Sequence, residues 1–237
     1  MAATTAITRN DRRGGRRVRQ HSTAALLSVG IGAALTLLAL PRLAGEGTVW
    51  AAREGLLSTA PGPDLTPAMA GRLTDMAGPA LLAPAFAEAG TIWLRLALEG
   101  REGGGTLLPA ARQAFAHSLA LAPAEPLTWF RLSYAASREG CLEAAARAWR
   151  MAVLTGTFDP QMMEYRLGLG FSLWPHMDAA GRAAMGRQLA VFWSWGPGTV
   201  SELTERDGAR DIVRLALADR PDIVADIERR IALRQGK

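Results

Sequence analysis

Three histidines, a single cysteine and a few serines are the residues of this chain whose types suit chemistry. His21, His117 and His176 stand far apart, with neither an HExxH nor a His-x-x-x-His spacing, so no helix face presents two imidazoles to a metal. Cys141 alone excludes an intramolecular disulfide and any multi-cysteine metal or iron–sulfur site. It follows Gly140 at an expected inter-helix turn, with no His or Asp in a nucleophile motif beside it, and reads as a small structural residue. Ser28 and Ser172 lack the G-x-S-x-G frame that exposes a nucleophilic hydroxyl. Gly103-Gly104-Gly105 and Gly168-Leu169-Gly170 follow no strand. They lack both the Lys-Ser/Thr of a phosphate loop and the third glycine of a dinucleotide fingerprint. The carboxylates are dispersed among arginines, as on solvated helix faces. The expectation is a protein that is not an enzyme and carries no cofactor and no metal.

The elements that would position these residues begin with a charged tail. The chain has 237 residues, 49% hydrophobic and 21% charged, which excludes a wholly disordered protein. Its net charge of +5 is confined to residues 1–21, where Arg9, Arg12, Arg13, Arg16, Arg17 and Arg19 face only Asp11; the remainder is neutral. A nucleic-acid arm would interleave aromatics, and a twin-arginine signal would flank Arg16-Arg17 with its own pattern; both are absent. Instead, Ser22 to Leu40 form a run of 19 uncharged residues. A helix of that length covers roughly 28 Å, close to the hydrocarbon core of a bilayer. Pro41 and Arg42 end it.

Six arginines precede the run, while Arg42 and Arg53 after it are offset by Glu46 and Glu54. The positive-inside rule therefore puts the N-terminus in the cytoplasm and the rest outside. A cleaved signal peptide is the competing reading, with Val49-Trp50-Ala51 as its cleavage site. The apolar run is longer than a signal's, and that site lies about ten residues beyond it, which favours a retained anchor.

Beyond Gly45 the chain reads as helices broken by Gly and Pro, without sustained apolar/polar alternation, so the fold class is all-α. Residues 59–67 form a Pro-rich joint in which Thr66 caps the next helix and Pro67 opens it. Gly103–Gly105 and Gly196-Pro197-Gly198 read as breaks. Asp178 should cap a helix to about Trp195, a further helix runs from Ala209 to Ala218, and the last runs from Ile223 to about Arg234 with Ile223, Ile227 and Ile231 in a stripe.

Between these lies an internal period. Trp129, Leu132, Ser133, Gly140, Leu142, Ala145, Trp149 and Ala152 sit at helix–turn–helix spacings, and Ala111, Phe115, Ser118 and Pro123 recur 34 residues before Ala145, Trp149, Ala152 and Thr157. Trp93, Leu96 and Ala97 suggest the matching first helix, displaced by two residues, and Pro126 and Pro160 keep the same period. Residues 90–157 thus resemble two tetratricopeptide repeats, degenerate to 175, although Thr157 replaces the usual closing proline. The expected repeat core is Trp93, Leu96, Phe115, Trp129, Leu132, Ala145 and Trp149. Phe192-Trp193-Ser194-Trp195 cannot all face one way along a helix, so Trp193 or Trp195, like Trp50 beyond the apolar run, is a candidate partner or membrane-interface anchor.

The organisation read from the sequence is a basic cytoplasmic tail (1–21), a transmembrane helix (22–41), juxtamembrane helices and a Pro-rich joint (42–85), a tetratricopeptide-like α-solenoid (86–177) and capping helices (178–237). Such a solenoid buries its own core by stacking and offers a surface to proteins. The implied role is a single-pass scaffold in a bacterial cytoplasmic membrane with its repeat domain in the periplasm, its partners being membrane or envelope proteins rather than nucleic acid or small molecules. The arrangement resembles single-pass accessory proteins of envelope polysaccharide assembly or export. The alternatives are an accessory subunit of an integral membrane complex and a soluble periplasmic protein freed from its signal peptide.

Overall fold

Thr66 and Pro67 start the first helix of the computed structural model: the Thr66 hydroxyl accepts from the Met69 N–H at 3.3 Å, and proline fills the first turn where no donor is needed. The structure describes residues 66–80, 82–100 and 104–236, which belong to one compact unit. The tail, the apolar run and Trp50 lie outside the described residues, as do Arg9, Arg12, Arg13, Arg16, Arg17, Arg19 and His21.

Among the described residues there are ten α-helices, one short 3-10 turn at Trp174–His176, and no strand. The helices are α1 (Pro67–Ala80), α2 (Ala83–Leu98), α3 (Gly104–Leu121), α4 (Pro126–Arg138), α5 (Leu142–Thr155), α6 (Pro160–Leu173), α7 (Ala179–Trp195), α8 (Pro197–Arg206), α9 (Arg210–Ala216) and α10 (Pro221–Gln235). The chain is all-α, and none of these helices is long and apolar enough to cross a membrane. Each helix packs on neighbours, most extensively α2 on α3 and α5 on α4, an arrangement compatible with a helical-repeat fold.

Local chemistry explains the boundaries. Glu125 and Asp159, 34 residues apart, each cap a helix that opens with proline, accepting from the N–H groups of Leu127 and Gln161. Asp178 caps α7 by accepting from the Gly181 N–H at 2.7 Å. Gly140 turns the chain between α4 and α5 at φ +85°, a left-handed conformation that strains any residue with a Cβ. One break is corrected: Gly104 and Gly105 are helical and form the start of α3, because glycine is tolerated in a first turn that tertiary packing supports. Likewise Pro197 and Gly198 belong to α8, and only Gly196 separates it from α7.

Burial follows two regimes. One continuous apolar cluster runs from Ala136 and Trp149 through Leu167, Leu189 and Leu203 to Ile223, Ile227 and Ile231 on α10. Around α1–α3 the core instead divides into smaller clusters, one on Ile92 and Leu96, one on Ala77 and Leu82, and one on Phe115 and Ala135.

Candidate functional site

The residues singled out by the 34-residue period are placed at equivalent depth. Ala111, Phe115 and Ser118 on α3 and Ala145, Trp149 and Ala152 on α5 are all buried. Both rings lie against a glycine of a neighbouring helix. A Cβ at Gly90 on α2 would stand 2.7 Å from the Phe115 ring, and one at Gly170 on α6 would stand 2.9 Å from the Trp149 ring. Trp149 also donates from Nε1 to the Arg166 carbonyl at 2.8 Å, which satisfies its only polar atom. Ser133 donates to the Ala145 carbonyl at 2.8 Å and so ties α4 to α5. Leu96 is buried, whereas Trp93, Trp129 and Leu132 are half-buried. Trp129 keeps its Nε1 at the surface, donating to the Pro123 carbonyl.

Arg166 is a feature that the sequence did not single out. It is fully buried, and its Nη1 donates to the Gly156 carbonyl and, at 3.5 Å, to Gln188 Oε1. Its Nε and Nη2 find no acceptor among the described residues. Burial pushes its pKa down, with Asp159 opposing. Gln188 passes a bond on to the Thr157 carbonyl, so a polar chain that starts at two buried side chains joins the α5–α6 loop to α7. No periodicity reports it, because arginines on the outer face are spaced in the same way.

At the surface, the tryptophan-rich end of α7 divides three ways. Phe192 is buried, Trp193 is half-buried with the Arg230 guanidinium 5.4 Å from its ring, and Trp195 is 54% exposed. Trp195 stacks on Phe192 and meets the exposed Phe158 edge-on at 6.2 Å, which makes an aromatic patch at the α7 terminus.

His176 pairs its Nδ1 with Glu143 Oε1 at 3.3 Å on the surface. Cys141 sits before α5, where Arg112 places Nη1 3.3 Å from its sulfur and 2.5 Å from Glu139 Oε2; Glu139 foremost raises the pKa of that guanidinium. These groups lie beside a cavity of about 390 Å³ between α3, α4 and α5. A second cavity, of about 310 Å³, opens between α1, α2 and α3 and is lined by Asp75, Phe86, Trp93 and His117. His117, Cys141 and His176 are not brought together by the fold, and among the described residues no three His, Cys, Asp or Glu side chains could hold a metal. The geometry is that of packed hairpins with aromatic and charged surface features.

No protein family matches the chain, no curated protein is significantly similar to it, and no solved structure matches its fold.

Proposed function

We propose that this protein is a membrane-tethered scaffold whose helical-repeat domain, of tetratricopeptide-like hairpins, holds partner proteins at the outer face of a bacterial cytoplasmic membrane. The observation that carries the repeat reading is the 34-residue register: equivalent residues of α3 and α5 are buried alike, and α4 and α6 begin with the same acid–proline cap. The tether reading is supported by sequence, namely six arginines ahead of a 19-residue uncharged run. A scaffold acts by position, since tethering raises the local concentration of whatever it binds. The exposed Phe158–Trp195 patch is the kind of aromatic surface on which partners anchor. A role beside envelope polysaccharide assembly follows only from the resemblance of this layout to accessory proteins of such systems.

The test is a fusion of alkaline phosphatase to the C-terminus of the full chain. An active, membrane-retained fusion is expected. An inactive fusion made at normal level overturns the orientation, and a mature chain beginning near Ala52 overturns the tether. Complementation with an anchorless, separately exported version tests the positional role: the scaffold reading requires that it fail.

A further inference from the structure

Gly156, Thr157 and Phe158 carry the chain from α5 towards α6; all three are exposed or half-buried, and among the described residues no backbone–backbone hydrogen bond reaches them. Thr157 adds only a long bond from its own hydroxyl, 3.4 Å to the Val153 carbonyl. Two fully buried side chains hold this loop from beneath instead. Arg166 on α6 donates from Nη1 to the Gly156 carbonyl, and Gln188 on α7 donates from Nε2 to the Thr157 carbonyl at 3.4 Å. A third bond, 3.5 Å from Arg166 Nη1 to Gln188 Oε1, joins the two. Gln188 and Trp195 lie seven residues apart, on one face of α7. That face therefore meets adjacent loop residues: the amide takes Thr157, and the indole meets the Phe158 ring at 6.2 Å.

A buried guanidinium loses its hydration, and here the protein supplies acceptors only to Nη1. The carboxylate that acts on its charge, Asp159, is engaged in capping α6 through the Gln161 N–H. An apolar side chain of similar length would fill the same space without that loss, as where buried ions give way to hydrophobic residues. It could not bind the Gly156 carbonyl. We propose that Arg166 is a positioning residue, which fixes the α5–α6 loop and so sets Phe158 against Trp195 at the surface. This role goes beyond the scaffold reading and is independent of what binds the aromatic patch.

The test compares the full chain, in maltoside micelles, with Arg166→Met, Gln188→Met and Phe158→Leu. The Trp195 indole N–H resonance, assigned by its loss in Trp195→Phe, reports the Phe158 ring through its ring current. Urea denaturation midpoints report the core separately. Arg166→Met should move the resonance to the position it takes in Phe158→Leu, while the midpoint stays at or above that of wild type. Gln188→Met, which leaves the Gly156 bond in place, should move it less. An unmoved resonance in Arg166→Met overturns the proposal, because the loop then keeps its place without the guanidinium. So does a lowered midpoint or a failure to fold, which makes Arg166 a support of the core rather than of the loop. A Gln188→Met shift as large as that of Arg166→Met overturns it too, since the amide would then be decisive. No shift in Phe158→Leu removes the aromatic pair itself and overturns it as well.

Discussion

Trp149 shows how one residue decides its surroundings. Its ring is fully buried, its only donor is used on the Arg166 carbonyl, and it leaves no space for a side chain at Gly170. Truncating it to alanine should cost about 3–5 kcal/mol, the usual range for a buried aromatic. Gly170→Ala inserts a methyl 2.9 Å from the ring and 3.1 Å from Met185 Sδ, and should cost about 1–3 kcal/mol by overpacking. The two effects share one volume, so they should not add. In a Trp149→Ala background, Gly170→Ala should be close to neutral, because the methyl enters space that the ring has left. Urea denaturation of the four proteins measures this cycle. Additive losses would mean that Gly170 is needed for its backbone rather than for the ring.

At the scale of an element, the start of α5 carries a pH dependence whose sign is fixed. The Glu143 carboxyl lies in the first turn, and its pKa is held below the ordinary value, first by its own backbone N–H and then by His176. A carboxyl lowered in the folded state stabilises fully above its unfolded pKa and loses that contribution as pH falls through the folded one. The stability difference between wild type and Glu143→Gln should therefore shrink as pH falls below about 5. Denaturation midpoints across pH 3–7 measure it, and a difference independent of pH would remove the carboxyl from the account. This pair also marks what the sequence could reveal. Thr66, Asp178 and the first-turn prolines were legible because caps act within three residues of themselves. Phe115 and Trp149 were legible because the same residue types recur in one register 34 residues apart. The Glu143–His176 contact, the buried Arg166 and the cavity lined by Asp75 and Trp93 join residues from helices far apart in sequence, and no local period encodes which faces meet. Gly104-Gly105 misled for the converse reason: local propensity favoured a turn, and packing of α3 on α2 prevailed.

Across the described molecule, the division of the core predicts how it comes apart. From α5 to α10 the apolar cluster is continuous, so opening any one of these helices exposes surface of its neighbours. The clusters around α1–α3 are smaller and separate, and α1 reaches the rest chiefly through α2. Cooperativity follows shared buried area, as in repeat proteins whose units hold only their neighbours. Native-state hydrogen exchange on the full chain should therefore show amides of α1–α3 opening at lower free energy than those of α5–α8. Leu96→Ala should lower protection in α1–α3 while leaving α6–α8 nearly unchanged. Ile227→Ala, at the far end, should lower it through the larger cluster, because Ile227 is fully engaged in that cluster. The expected losses are about 2–5 kcal/mol each, felt in different halves. Uniform loss across all helices for both variants would show one cooperative unit, with α4 coupling the halves through Leu132 and Ala135 more strongly than the separate clusters suggest.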